Sequence, residues 1–221
     1  MIESLTGNLL VASSLVTDPV YAGGVCLLVH QDETNVIGVM LNRPMKPTPE
    51  ALVAMLGEQK KPSGGNRLTA FSEQPTAETA ESEPQSENPA GASPPDHPIP
   101  WGMLHFGGPL SGPVVAIHQH SQYAEAETGD GIYVAAQKQH LEDLVRQQPG
   151  PYRLIVGHLG WEFEQLETEI ETGIWHVLPA TTDSVFSSAN EMWPRLIRRA
   201  TSSSMARWLG IPDLVAAGEL N

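Results

Sequence analysis

The side chains with the greatest chemical reach in this chain fall in three short segments. Asn42-Arg43-Pro44 places a guanidinium where proline, which has no N–H to give a ladder, ends a strand. The chain has 12 Lys and Arg against 26 Asp and Glu. Arg43 therefore either pairs with a carboxylate of the chain or offers its bidentate fork to a carboxylate of a ligand. Gly107-Gly108 opens the run Gly107-Gly-Pro-Leu-Ser-Gly112, where missing side chains allow a tight connection or a close backbone approach. Trp161 precedes a helix dense in carboxylates, Glu162 to Glu171. At 100° per residue Phe163, Leu166 and Ile170 form its core stripe, and Glu162, Gln165 and Glu169 point away. Glu167 lies at the border of the stripe, with Glu164 and Glu171 on the same flank. Such a border carboxylate is the one to be partly buried with a raised pKa. If Arg43 meets it, the carboxylate is held ionised instead, and a double-mutant cycle would show the two as coupled. Arg43, Gly107, Gly108, Trp161 and Glu167 are the candidate binding residues.

Other chemistries lack their partners. Ser111 has no Gly-x-Ser-x-Gly setting for a nucleophile. Cys26 sits in the apolar run Val25-Cys-Leu-Leu-Val29 with nothing adjacent to lower its pKa. Gly157-x-x-Gly160 is neither a Walker loop nor a dinucleotide fingerprint, and Glu162 and Glu164 would repel a phosphate from the helix start. His118-x-His120 puts two imidazoles on one strand face, but a zinc site needs His105 or His158 to converge on them. No catalytic residue, metal ligand set or cofactor is assigned.

Several elements must position these groups. Residues 9–15, 25–30 and 36–41 are short β-branched-rich runs that predict strands, with Asp32-Glu-Thr-Asn35 as the turn between the second and third. Residues 103–106, 114–118, 132–135, 154–157 and 175–178 predict further strands. Leu141, Leu144 and Val145 recur at helical spacing in 140–148, which stops before Pro149-Gly-Pro151. The longest helix is predicted over 190–209, capped by Asn190, with Trp193, Leu196 and Ile197 on one face and a break at the polar run Thr201 to Ser204. Many short strands with few helices between them favour an α+β domain with a largely antiparallel sheet.

Composition narrows the partners. Residues 58–100 are rich in acid and proline, and between Ser72 and Asp96 contain no Lys, Arg or aromatic residue. This stretch reads as a disordered insertion whose deletion would leave the fold intact. It splits a single discontinuous domain, residues 1–57 and 101–209, which is followed by a tail at 210–221. Seven acids and three bases in the insertion give −4 of the formal charge of −14, so the domain itself is acidic. Such a surface repels nucleic acid. Arg195, Arg198 and Arg199 make the one local basic cluster. No apolar run reaches the roughly 20 residues a spanning helix needs, and the N-terminal residues lack the pattern of a secretory signal. A cytoplasmic location is expected, with a protein or small-molecule partner.

The motifs Gly7-Asn-Leu-Leu-Val-Ala12, Asp18-Pro19, Gly38-Val-Met-Leu-Asn-Arg-Pro44, Gly107-Gly-Pro109, Ala116-Ile-His118 and Gly160-Trp-Glu-Phe-Glu-Gln-Leu-Glu167, in this order and spacing, resemble the AlgH/YqgE-like family of bacterial proteins. The resemblance spans most of the chain outside the insertion; the chain departs from the family pattern at Leu159 and Glu164. It implies an α+β fold with a curved, partly barrel-like sheet and a few packed helices, and a link to bacterial regulation. The leading expectation is a noncatalytic protein that acts through binding. The alternative is a small-molecule-binding or hydrolytic enzyme with a cleft near Arg43, Gly107-Gly108 and the Trp161–Glu167 segment.

Overall fold

The computed structural model describes residues 4–46 and 104–208, with side chains as far as Ser202. The acidic stretch 58–100, the tail 210–221 and Met103 lie outside the described residues. Among the described residues ten strands and four α-helices, with one 3-10 turn at Ser121–Tyr123, follow in order: β1 (Asn8–Ala12), β2 (Val25–Gln31), β3 (Asn35–Met40), β4 (Leu104–Phe106), β5 (Val115–His118), β6 (Ala126–Glu127), β7 (Tyr133–Ala135), α1 (Lys138–Gln147), β8 (Tyr152–Val156), β9 (Leu159–Glu162), α2 (Phe163–Glu171), β10 (Trp175–Pro179), α3 (Thr182–Val185) and α4 (Ala189–Trp208). The fold is α+β, with two five-stranded sheets in the orders β10-β1-β2-β3-β9 and β4-β8-β5-β7-β6. The first is wholly antiparallel; in the second, β4 runs parallel to β8.

Alternation explains why several strands read as unbroken apolar runs. In β1 and β2, Leu9, Val11, Val25 and Leu27 enter a core shared with Ile117 and Ile155 of the second sheet and with Met192, Leu196 and Ala200 of α4. Their neighbours Leu10, Ala12, Cys26 and Leu28 enter a second core, closed by Phe163 and Leu166 of α2. A third core lies on the far side of the second sheet, where Ala116, Tyr152 and Leu154 meet Leu141 and Leu144 of α1. A sheet covered on both faces has no polar side to show. Cys26 is fully buried, and burial pushes its thiol well above its ordinary pKa.

The two sheets join at a corner. Beyond β3 the chain runs on beside β4, with Phe106 N–H donating to the Arg43 carbonyl at 2.8 Å and Met45 N–H to Leu104 at 2.8 Å. Beyond β8 it crosses back through Gly157-His158 into β9, and His158 and Leu110 exchange backbone hydrogen bonds at 3.0 and 3.1 Å. The crossings do not close the first sheet into a barrel, because among the described residues β9 and β10 remain its edge strands.

Three local expectations are corrected. Trp161 belongs to β9, a short strand inserted between the glycine turn and the helix, and pairs with Val36 of β3. The long helix starts at Ala189, so Asn190 lies inside it. It also continues through Thr201 to Ser204, with the Thr201 hydroxyl turned back to donate to the carbonyls of Ile197 and Arg198 at 2.9 and 3.0 Å. The Asp32 turn forms as expected. Its carboxylate accepts from Thr34 and Asn35 N–H at 2.8 and 2.7 Å, and these bonds lower its pKa.

Candidate functional site

Trp161 stands on one edge of the first sheet and Trp175 on the other. In a flat sheet those edges are roughly 19 Å apart, four spacings of about 4.8 Å. Here the rings meet edge to face with centroids 6.1 Å apart, and Tyr21 packs edge-on against Trp175 at the same distance. Sheet curl and the reach of two indoles close the gap. Both indole N–H groups donate to one oxygen of Glu169, at 3.0 Å from Trp161 and 2.8 Å from Trp175. The other oxygen accepts from the Gln165 side chain at 2.8 Å. A carboxylate on α2 thus clasps the two sheet edges.

This clasp overturns the reading of α2. Glu169 is half-buried, whereas Glu167, expected at the buried border, is exposed. The wheel leaves two flanks beside the apolar stripe, and the two tryptophans cover the one that carries Glu169. Arg43 does not meet Glu167 either. Its guanidinium donates to the carbonyls of Ala22 at 2.6 Å, Val20 at 3.3 Å and Gly23 at 3.5 Å. With the Asn42 amide, which bonds Gly23 O and Val25 N–H at 2.8 and 3.0 Å, it ties the 20–24 loop to the end of β3. Burial lowers the Arg43 pKa. Gly107 and Gly108 sit at the sheet corner, where a Cβ on either would collide with the carbonyl oxygens of Gly157 and His158. Of the five expected site residues, only Trp161 faces the cleft described next.

A cleft of about 610 Å³ opens beside the two tryptophans. Its walls include Tyr21, Trp161, Trp175 and Glu169, and its rim Leu15, Leu110, Ile174 and Asp18. Leu15 is 85% exposed, Leu110 46% and Ile174 40%. Among the described residues four large hydrophobic side chains are exposed, and these are three of them. Burial first, and then the charges of Asp18 and Glu169, raise the pKa of the Tyr21 phenol. Of the five candidate residues only Trp161 pointed to this cleft, but two of the three segments expected to form one, the Gly107–Gly112 run and the Trp161–Glu167 segment, contribute Pro109, Leu110 and Gln165 to its lining. Leu15, read as the end of the first strand, lies beyond β1, which stops at Ala12, and Ile174 lies in the turn before β10.

A second polar cluster lies under α1. His118 is fully buried, with its Nδ1 accepting from His120 N–H at 3.3 Å, so that the ring proton falls on Nε2. Tyr133 and Tyr152 flank it in cross-strand register. His105 does not join it, because its Nε2 lies 2.8 Å from the Arg153 guanidinium. Among the described residues no three His, Cys, Asp or Glu side chains are grouped to hold a metal. Burial, and next the neighbouring His120 and His140, push His118 down to about pH 4, opposed by Glu125. An unfolded histidine titrates near 6.5. The unfolded chain therefore binds a proton that the folded chain refuses, and stability is full above about 6.5 and falls as pH drops towards 4. The expected loss is on the order of 3 kcal/mol. It is checked by urea midpoints from pH 7.5 to 4, in which His118→Gln should flatten the acid limb.

The AlgH-like family model matches residues 9–204. A UPF0301 protein of Thermobifida fusca (strain YX) is 30% identical over 201 residues, covering 89% of this chain and 87% of the relative. One from Anaeromyxobacter dehalogenans (strain 2CP-C) is 27% identical over 197 residues, covering 88% and 87%. The solution structure of the AlgH protein from Pseudomonas aeruginosa superposes with a TM-score of 0.58 at 20% identity, over 100% of this chain and 99% of that one. A crystal structure from Corynebacterium diphtheriae gives 0.56 at 22% identity, over 89% and 87%. At these identities the two structures speak for the fold alone. Among the described residues no helix is long and apolar enough to cross a membrane. The chain belongs to the AlgH-like family, an uncharacterised family with bacterial members.

Proposed function

We propose that this chain is a noncatalytic cytoplasmic protein that acts in regulation by binding, with the Trp161–Trp175 cleft as its binding face. The supporting observation is the gathering of Leu15, Leu110 and Ile174 around one cleft. Isolated exposed apolar residues are ordinary, but a contiguous apolar patch is a mark of an interaction surface. A protein partner is favoured over a small molecule because Leu15 stands 85% exposed at the rim, where only a large partner would cover it. Nucleic acid is not expected as a partner at a formal charge of −14. The test is photo-crosslinking in the native cells with p-benzoylphenylalanine at position 15, and at exposed Lys138 on α1 as control. Protein adducts at position 15 that are absent at 138 are the expected result, and their absence at 15 overturns the reading.

The enzyme reading keeps one observation, since about 610 Å³ lies within the range of small-ligand pockets. Pro109, Leu110, Gly160 and Trp161 reach the cleft; Arg43 does not. A metabolite consumed by the protein, with consumption lost in Leu15→Glu, would favour it.

A further inference from the structure

We propose that the occupant of the Trp161–Trp175 cleft is a protein segment in which apolar side chains flank a lysine or arginine. The inference rests on the binding reading above and adds the chemistry of the partner. The cleft combines apolar rim residues with two carboxylates, Asp18 and Glu169, and among the described residues no Lys or Arg lines it. Glu169 is hydrogen-bonded by two indoles and an amide, all of them neutral donors, so these bonds orient the carboxylate and leave its charge uncompensated. Asp18 uses Oδ1 to accept from Val20 and Tyr21 N–H at 2.8 and 3.3 Å, and its side chain is exposed. The ion pairs among the described residues involve neither carboxylate.

These features select among partners. A wholly apolar segment would cover Leu15 and Ile174 but would desolvate Glu169 without a counter-charge, which is costly. An acidic segment would meet two like charges in a protein that is already strongly acidic. A basic residue set between apolar ones covers the rim and brings a cation to the carboxylates. The cation need not enter the ring faces, since Trp161 is 7% and Trp175 3% exposed. A long stem reaching Asp18 at the rim and Glu169 in the wall is sufficient, its methylenes lying on the apolar wall.

The experiment pans a random dodecamer peptide phage library on the full-length protein, with counter-selection on Leu15→Glu, and measures the enriched peptides by fluorescence anisotropy. The expected result is a consensus with Lys or Arg between apolar residues, bound roughly 2- to 10-fold more weakly by Asp18→Asn and more weakly as salt rises. Asn keeps the oxygen that accepts from Val20 and Tyr21, and an unchanged melting midpoint confirms that this variant is folded. Leu15-dependent peptides without a basic residue, or bound equally by Asp18→Asn, would overturn the charge inference and leave the binding cleft standing. An absence of Leu15-dependent peptides would overturn both.

Discussion

Arg153→Met is expected to cost about 3–5 kcal/mol of stability, although among the described residues Arg153 pairs with no carboxylate. Its strand, Tyr152-Arg-Leu-Ile-Val156, alternates so that Tyr152 and Leu154 face the α1 core while Arg153 and Ile155 face the core between the sheets. There Arg153 is only 8% exposed. It donates to the carbonyl of Val185 at 2.9 Å, to that of Ser187, and to that of Leu41 at 3.5 Å, and it meets His105 Nε2 at 2.8 Å. One side chain thereby ties the second sheet to the end of β3 and to the turn between α3 and α4. Burial depresses its pKa to about 10, so the charge is held at a cost that its acceptors offset. Methionine fills the space and restores none of the donors, and each buried acceptor left unpaired costs about 1–3 kcal/mol. Arg153→Lys should recover little, because a single ammonium cannot reach acceptors spread around a planar fork. Urea unfolding at neutral pH measures both. A wild-type midpoint in the methionine variant would show that water replaces the guanidinium at no loss.

The second large effect is expected for Trp161→Ala, also about 3–5 kcal/mol, the usual cost of truncating a buried large aromatic residue. Trp161 is 7% exposed and packs with Leu159, Phe163, Leu166 and Trp175. Its loss opens a cavity between sheet and helix and removes one of the two indole donors on Glu169. Trp161→Phe separates these contributions. It keeps ring contact with Trp175 and gives up a hydrogen bond to a charged group, worth about 1.5–3 kcal/mol. Denaturant midpoints of the two variants give the division. A midpoint unchanged in the alanine variant would mean that the ring serves a ligand and not the core.

The sequence by itself determined the kind of fold and the family. Short apolar runs bounded by turn residues predict most of the strands, the helical spacing of Leu141, Leu144 and Val145 predicts α1, and the ordered motifs from Gly7 to Glu167 carry the resemblance. These are local properties, set by alternation, helical period and turn chemistry within a few residues. The buried, inert state of Cys26 was legible for the same reason, since its own neighbours bury it.

Only the tertiary structure decided what the polar groups do. Arg153 reads as one charge in an apolar strand, and its four acceptors come from segments up to 112 residues away. Arg43 was expected to meet a carboxylate because acids outnumber bases in the chain, yet the nearest acceptors in space were carbonyls of the 20–23 loop. On α2 the helical period fixes the apolar stripe but treats its two flanks alike. Tryptophans on opposite edges of one curled sheet chose Glu169 over Glu167, and no local pattern encodes which edge strands a sheet will bring together. The cleft has the same origin, because Leu15, Leu110 and Ile174 are unremarkable surface residues until the fold sets them around one opening.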